Sequence, residues 1–300
     1  MFDIVTVGHF AVDLITSPRI KRPKPTLGGP PTYVSLAAIA LGAKVSVISK
    51  VGGDFPAEYI RWLKSRGVNL STVTVIEDAK TTRFRIDYTN GERTLKLESR
   101  APSIGAKDMP DDLKARAVQV SPIANEVSSG VISKARDLAD TLSIDPQGLV
   151  RSFREDGTVY LTGMREPEIL GKADIYKSSM DEVRVITQQT DLGRAVRRIH
   201  KYGVRIVMVT MGRRGSLLSI DGRMHQIPTY EPREVVDMTG AGDAFIGAFL
   251  AEYVKGEEPL WCACVGSASA SILIENIGPS NFGGKDEIYE RAGKLYDTLR

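Results

Sequence analysis

Hydrophobic positions along the chain alternate between the spacing of buried strands and the spacing of helices. Apolar runs predict strands at Phe2–Gly8, Lys44–Val51, 116–120, 141–145, 171–176 and 204–210. Helical spacing between and after them predicts helices at Tyr33–Leu41, Phe55–Arg66, 128–140, 190–201, 243–254, 257–275 and 285–299. This alternation predicts an α/β fold with a doubly wound, mainly parallel sheet and helices on both faces.

A block with a different pattern interrupts the alternation. Val73–Ile76, Thr82–Tyr88 and Arg93–Leu97 carry β-branched and aromatic residues at every second position, and Asn90-Gly91 is typical of a hairpin turn. Because no helix separates these strands, we expect them to pair antiparallel. Residues 17–27, rich in proline and basic residues, predict a loop. We therefore expect a single domain over 1–300, with a small β-sheet lid formed by about 14–27 and 72–99.

Composition and charge narrow the class of protein. The 300 residues are 42% hydrophobic and 26% charged, which argues against a disordered or fibrous chain. The net charge of +3 is too small to indicate a nucleic-acid partner, and the densest basic run, Arg194–Lys201, predicts an exposed helix face. No run approaches the ~18 apolar residues of a membrane span, and the N-terminus lacks the basic segment of a signal peptide. We expect a soluble, cytoplasmic protein with no nucleic-acid or membrane partner.

The segment Asp237–Phe245 combines a strand-like approach, Arg233–Val236, with a glycine turn and the start of a helix. A helix start presents unpaired N–H groups and a partial positive charge, and small residues at 240–242 let an anion approach them. Asp243 would then accept a proton from a hydroxyl while phosphate charge is neutralised. Taken alone, the segment is equally consistent with a glycine turn and an acidic residue favoured by the helix dipole.

Polar residues also follow other predicted strands. The 204–210 strand ends at Thr210, and Gly212 and Gly215 follow it. Open α/β sheets bind ligands at such strand ends, although a plain hairpin turn would use the same residues. Asp13 follows the first strand and suits bidentate hydrogen bonding of a sugar or cyclitol, or else it satisfies N–H groups of its own loop.

Two further residues allow two interpretations each. Glu182 follows another strand and could hold Mg²⁺ through water, or it could cap the next helix together with Ser179. Arg151, beyond the segment Asp145-Pro146-Gln147-Gly148, could clamp a phosphate or remain an exposed loop arginine.

Four of these segments occur in an order that resembles the ribokinase-like (PfkB-type) carbohydrate kinases over nearly the whole chain. They are Asp13 after strand one, Gly28-Gly29 at a helix start, Thr210-x-Gly212-x-x-Gly215, and Asp237-x-Thr239-Gly240-Ala241-Gly242-Asp243. The resemblance implies a ribokinase-like fold with a β-sheet lid and transfer of the ATP γ-phosphoryl group, with Mg²⁺, to a hydroxyl.

The resemblance also implies roles for particular residues. Asp243 corresponds to the general base, and the N–H groups of Gly240, Ala241 and Gly242 correspond to the anion hole. The implied acceptor side comprises Asp13, Gly28, Gly29, Asp54, Tyr33 and Arg151, and the nucleotide side comprises Thr210, Gly212, Gly215 and Gly266. Glu182 would position Mg²⁺, and Asp237 and Thr239 would border a K⁺ site.

Three departures from the family pattern bear on the substrate. Tyr33 and Ser179 stand where the family usually has asparagine, and Met238 replaces a small residue or proline. Tyr33, with residues 121–127 and the Asp145–Arg151 segment, is similar to the archaeal inositol-kinase branch. A myo-inositol-like cyclitol is therefore the favoured acceptor.

Other functions stay open at this stage. A nucleoside is an alternative acceptor, and so is a sugar phosphate, for which Lys21–Lys24, Arg83 and Arg85 would supply cations. A non-catalytic sensor of polyols or nucleotides is also possible on this fold. The edge of the β excursion could pair across a homodimer.

Overall fold

The computed structural model describes residues 1–17, 24–89 and 94–300. The strands are β1 (Phe2–Val7), β2 (Ala11–Thr16), β3 (Pro25–Gly28), β4 (Val45–Gly52), β5 (Val73–Ile76), β6 (Thr82–Asp87), β7 (Thr94–Ser99), β8 (Ala115–Val120), β9 (Ala139–Ile144), β10 (Arg151–Phe153), β11 (Val159–Leu161), β12 (Ile175–Ser179), β13 (Ile206–Thr210), β14 (Ser216–Ile220) and β15 (Arg223–Ile227). The helices are α1 (Pro30–Ala40), α2 (Ala57–Ser65), α3 (Ser129–Leu138), α4 (Met180–Thr187), α5 (Leu192–His200), α6 (Ala241–Tyr253), α7 (Pro259–Leu273) and α8 (Lys285–Asp297).

A nine-stranded sheet in the order β15-β14-β13-β12-β9-β8-β1-β4-β5 forms the centre of the molecule. The strands from β13 to β5 pair in parallel, and β14 pairs antiparallel with both β13 and β15. Neighbouring residues of β1 belong to different apolar clusters. Ile4 shares a cluster with residues of α1, α6, α7 and α8, and Val5 shares one with residues of α3, α4 and α5. The predicted doubly wound α/β architecture is therefore confirmed.

The second sheet, which we call the lid sheet, has the order β3-β2-β6-β7. Its β2–β3 and β6–β7 pairs are antiparallel, whereas β2 and β6 run parallel. The lid sheet begins earlier than predicted, because Ala11–Thr16 forms a strand where a loop was expected to follow strand one. The predicted turn at Asn90-Gly91 and residues 18–23 of the predicted loop lie outside the described residues.

Two predictions of secondary structure were wrong. Val73–Ile76 does not join the lid sheet, because α2 carries the chain back beside β4 and the two strands pair in parallel at the edge of the main sheet. Arg233–Val236 forms no strand, because the Val236 N–H donates to the Ile274 carbonyl at the end of α7 instead of joining a ladder. Within the described residues, no helix is both long enough and apolar enough to cross a membrane.

The position of α6 depends on close helix contacts. Residues Ala244–Glu252 are all buried, so this helix is apolar on every side and lies inside the molecule. An added Cβ at Gly247 would lie 2.4 Å from the Val34 carbonyl oxygen of α1, and one at Gly266 of α7 would lie 2.7 Å from the Phe245 carbonyl oxygen. These two glycines let α1 and α7 fix α6, and with it the turn that precedes Ala241.

Candidate active site

A cleft of about 220 Å³ lies between the main sheet and the lid sheet. Residues that follow or end β9, β12 and β13 line one side, and Phe84, Ile86 and Leu95 of the lid sheet line the other. The predicted site residues on its wall are Asp13, Gly29, Tyr33, Arg151, Glu182, Thr210, Thr239, Gly240, Ala241, Gly242 and Asp243. Segments more than 200 positions apart thus meet in one place, as parallel strands with a common carboxyl edge require.

The turn before α6 has a conformation that only glycine adopts readily. Gly240 caps the helix with a φ of 78°, in the left-handed region. Its Cα lies directly over the Tyr33 ring, so that an added Cβ would come within 2.3 Å of a ring carbon. The Ala241 N–H donates to the Met238 carbonyl at 3.3 Å and closes the turn, so this N–H is not free for an anion as predicted. The first turn of α6, including Asp243, therefore faces the cleft from a fixed position.

Tyr33 lies beneath this turn and is not exposed in an acceptor pocket. Its side chain is only 1% exposed, and its hydroxyl finds no hydrogen-bond partner among the described residues. Burial, followed by the charges of Asp13 and Asp237, raises the pKa of the phenol well above its ordinary value. The aromatic ring predicted for the acceptor pocket thus packs under the glycine turn and contributes to the cleft wall while almost fully buried.

Asp243 of α6 belongs to a chain of hydrogen-bonded side chains that also includes Gln147 and Arg151. The Gln147 Nε2 donates to Asp243 Oδ1 at 3.3 Å, and the Arg151 Nη2 donates to Gln147 Oε1 at 2.9 Å. Arg151 also donates to the Ile123 carbonyl at 3.1 Å and is largely buried, so it is not an exposed loop arginine. Gln147 was quoted in the sequence but not predicted as a site residue.

A buried ion pair was missed by sequence reasoning. Lys177 of β12 donates to Asp145 Oδ2 at 2.6 Å, and the two side chains are 6% and 1% exposed. Burial opposes the charged form of Lys177, but the carboxylates of Asp145 and Asp243 raise its pKa. Burial raises the pKa of the Asp145 carboxyl to about 6, although Lys177 acts in the opposite direction. A lysine in the middle of a buried strand was the available signal, because a buried charge needs a partner.

The raised pKa of Asp145 predicts a pH-dependent contribution to stability. Folding raises this pKa from 3.8 to about 6, so the contribution is complete below pH 3.8 and is lost as the pH rises through about 6. We expect the urea midpoint of the wild type to fall relative to that of Asp145→Asn between pH 4 and 6.5. The groups facing Asp145 are Lys177, Glu182 and Asp243. A difference in urea midpoint between wild type and Asp145→Asn that stays constant across this pH range would contradict the raised pKa of Asp145.

The loop before α6 is held by a buried carboxylate. Asp237 Oδ1 accepts the Thr239 N–H and Oδ2 accepts the Gly278 N–H, both at 2.9 Å. The Tyr88 hydroxyl at the end of the lid sheet lies 3.2 Å from Thr239 Oγ1. Asp237 therefore holds the loop through two backbone hydrogen bonds, and Thr239 connects the loop to the lid sheet.

Glu182 serves as a helix cap and also faces the cleft. Its Oε2 accepts the Ser179 N–H and the Ser179 hydroxyl, both at 2.7 Å, which is the reciprocal arrangement of a capping box. The predicted cap is therefore confirmed. Because Glu182 also lines the cleft, the cap fixes the direction of the one carboxylate predicted to hold Mg²⁺.

Two residues predicted on the acceptor side support the cleft without lining it. Gly28 lies behind Asp13, where an added Cβ would come within 1.9 Å of Asp13 Oδ2. Asp54 accepts the Thr81 N–H at 2.6 Å and pairs with Arg83 of the lid sheet at 3.2 Å. Gly28 thus makes room for a predicted binding residue, and Asp54 holds the base of the lid sheet.

Three glycines predicted on the nucleotide side also lie off the cleft wall. Gly215 packs in the turn before β14, where an added Cβ would lie 2.0 Å from the Ile227 carbonyl oxygen, so the plain-turn interpretation holds for it. Gly212 begins the preceding short 3₁₀ turn, and Gly266 lies at the contact of α7 with α6. Of the predicted nucleotide-side residues, only Thr210 reaches the cleft described here.

Comparisons with known proteins identify the family of the chain. The model of the pfkB family of carbohydrate kinases matches residues 1–284. The chain is 29% identical to a cytidine kinase of Thermococcus kodakarensis, over 93% of this chain and 98% of that protein. It is 27% identical to an inositol 3-kinase of Arabidopsis thaliana, over 89% of this chain and 74% of that protein.

A solved structure shares the fold. A pyrophosphate-dependent kinase in the ribokinase family, complexed with a pyrophosphate analog and myo-inositol, has a TM-score of 0.82 at 22% identity, covering 96% of this chain and 99% of that chain. The predicted ribokinase-like fold is thereby confirmed. The chain belongs to the pfkB family of carbohydrate kinases, enzymes that transfer a phosphoryl group to a hydroxyl.

Proposed function

We propose that the protein is an ATP-dependent kinase that phosphorylates a hydroxyl of a small polyol, with a myo-inositol-like cyclitol as the favoured acceptor. The observation that carries this proposal is the position of Asp243. It lies in the first turn of a buried helix, on the wall of a cleft that Asp13 lines from the lid sheet. A carboxylate beside a helix N-terminus can accept a hydroxyl proton while the helix end attracts a phosphate.

The acceptor would bind between the lid sheet and the turn before α6. Asp13 is 4% exposed and offers two carboxylate oxygens, which suit the neighbouring hydroxyls of a polyol. The similarity to an inositol 3-kinase supports a cyclitol. The cleft of about 220 Å³ also suits a small acceptor better than an extended one.

A nucleoside is the second candidate acceptor, and two observations favour it. The similarity to a cytidine kinase extends over nearly the whole chain. In addition, Phe84, Ile86, Leu95 and Ile123 form an apolar wall against which a base could pack. A sugar phosphate is less well supported, because Arg83 pairs with Asp54 and Arg85 with Glu98.

The excess of carboxyl groups over cations in the cleft favours a metal ion when a phosphate donor binds. Four carboxyl groups, those of Asp13, Asp145, Glu182 and Asp243, line the cleft against the two cations Arg151 and Lys177. Within the described residues, no group of three or more histidine, cysteine, aspartate or glutamate side chains forms a metal cage. This arrangement fits Mg²⁺, which retains most of its waters, with Glu182 as the protein group that would hold it through water. When bound, Mg²⁺ supplies charge neutralisation to the donor phosphates.

Residues of the chain then carry out the transfer. Asp13 orients the acceptor, and Asp243 accepts the proton of its hydroxyl as the oxygen attacks phosphorus. The N–H groups of Gly240 and Gly242 hold the transferring phosphoryl group, whereas the Ala241 N–H is used by the Met238 carbonyl. The apolar wall of the lid sheet excludes water. Asp237 and Thr239 would border a K⁺ ion beside this turn. Substituting tetramethylammonium for K⁺ in the assay would test that role.

A donor and acceptor panel tests the proposal. Consumption of ATP, and in parallel of pyrophosphate, is measured with myo-inositol, cytidine, ribose, fructose and fructose 6-phosphate. We expect ATP with myo-inositol to give the highest kcat/KM, and cytidine ahead of it would favour the second candidate. Binding of a polyol or nucleotide without turnover of any pair would contradict the proposal and indicate a sensor.

A further inference from the structure

The ion pair between Lys177 and Asp145 has a position that its contribution to folding does not explain. It lies at the carboxyl end of the main sheet, on the cleft wall, and not in the apolar interior. A buried ion pair contributes little net stability, because the desolvation of both charges offsets their attraction. A cation held at the mouth of a cleft that receives phosphate therefore calls for a functional reason.

The ammonium group of Lys177 touches the turn that starts α6. An added Cβ at Gly242 would lie only 2.6 Å from Lys177 Nζ, so the ammonium group packs directly on the glycine backbone. Gly242 is one of the three residues whose N–H groups are predicted to hold the transferring phosphoryl group. The positive charge thus lies beside one of the residues predicted to hold the phosphoryl group.

The groups around Lys177 keep it charged and fix its direction. Asp145 Oδ2 accepts a hydrogen bond from Lys177 Nζ at 2.6 Å. The carboxylates of Asp243 and Glu182, on two other elements, add electrostatic attraction. An ammonium group has three donors, of which Asp145 uses one. The ammonium group lies beside Gly242, and the charge of Asp243, the proposed base, acts on it.

We infer that Lys177 is a catalytic residue that binds the transferring phosphoryl group, and that Asp145 is the positioning residue that aims its ammonium group. This inference rests on the proposed function. During transfer, the acceptor oxygen forms a bond to phosphorus as the bond from phosphorus to the bridging oxygen of the donor breaks. The hydroxyl proton passes to Asp243, and Lys177 stays protonated throughout, neutralising charge on the phosphoryl oxygens.

The inference predicts the kinetics of two variants. Lys177→Met removes the charge at similar volume, and the double variant Lys177→Met/Asp145→Asn also avoids leaving a lone buried carboxylate. We expect kcat to fall about 10–10²-fold in both, the scale of one charge-assisted hydrogen bond, with KM for the acceptor within about threefold of wild type. Thermal unfolding establishes that each variant is folded.

Lys50 provides the matched control. It also lies on a strand of the main sheet and pairs with Asp108 at 2.6 Å, but it does not line the cleft. We expect Lys50→Met to change the unfolding temperature and leave kcat within about twofold of wild type. A fall in kcat for Lys50→Met as large as that for Lys177→Met would show that any buried lysine has this effect, and would overturn the inference.

A binding comparison separates phosphoryl contact from a structural role. We expect Lys177→Met to weaken binding of β,γ-imido-ATP at least about fivefold more than binding of ADP, because only the former carries the phosphoryl group in question. Equal changes for the two ligands, or a folded double variant with kcat within twofold of wild type, would overturn the inference. If wild type consumes pyrophosphate and not ATP, the proposed donor fails. Imidodiphosphate and phosphate then replace the two nucleotides in the same comparison.

Discussion

Replacement of Asp243 by asparagine is expected to lower kcat by about 10²–10⁴-fold, which is the usual contribution of general-base catalysis. Asparagine preserves the size of the side chain and its hydrogen bond with Gln147 Nε2, but it cannot accept the hydroxyl proton. The loss corresponds to about 3–5 kcal/mol of transition-state stabilisation. Steady-state kinetics would give kcat, and calorimetric titration with ATP would show donor affinity within a few-fold of wild type.

Asp286→Asn is the matched control for this prediction. Asp286 also lies in the first turn of a helix, α8, and it is exposed on the surface and does not line the cleft. Both substitutions remove a carboxylate that interacts favourably with a helix N-terminus, a contribution of about 0.3–1 kcal/mol. Asp286→Asn should keep the kcat of wild type. If Asp243→Asn also kept the kcat of wild type, Asp243 would only stabilise the start of α6 and would not act as the base.

Replacement of Gly240 by alanine is expected to lower both stability and turnover. The left-handed backbone costs alanine about 1–2 kcal/mol, and the new Cβ would come within 2.3 Å of the rigid, buried Tyr33 ring. Overpacking of this kind typically costs a further 1–3 kcal/mol. Relief of the clash would displace the turn, and loss of one well-placed N–H donor lowers kcat by about 10²–10³-fold.

Gly256 offers a control for the backbone strain alone. It has a φ of 95°, and an added Cβ would meet no atom within 4 Å. Gly256→Ala should therefore lose about 1–2 kcal/mol in the free energy of unfolding while kcat stays at the wild-type value. Urea unfolding and kinetics of both variants separate the two effects. Equal stability losses together with normal turnover of Gly240→Ala would contradict a role for this turn in phosphate binding.

Local patterns in the sequence identified several residues of the cleft wall, and the roles predicted for them came from the family resemblance. The glycine turn before α6 and Glu182 follow short-range rules about helix starts, whereas Asp13 was expected at a strand end and lies within β2. The structure brings all three together in one cleft. The parallel order of the main sheet also follows from the alternation of strands and helices.

Features that depend on distant partners were not predictable in the same way. The predicted antiparallel placement of Val73–Ile76 in the lid sheet was wrong, because strand pairing depends on the path of the chain through α2, which sets β5 parallel to β4. Glycine spacing did not distinguish close packing from ligand contact, as Gly215 and Gly266 illustrate. Lys177 was missed because its partner Asp145 lies 32 positions away on a neighbouring strand.

Direct observation of phosphoryl transfer tests the central claim, that Asp243 activates a hydroxyl of a small polyol for attack on a donor phosphate. Phosphorus NMR of reactions with ATP, Mg²⁺ and myo-inositol would follow the γ-phosphate and any new phosphomonoester signal in wild type, Asp243→Asn and Asp286→Asn. We expect the phosphomonoester to accumulate with wild type and Asp286→Asn, and at least about 100-fold more slowly with Asp243→Asn. Equal accumulation with all three proteins would contradict the claim.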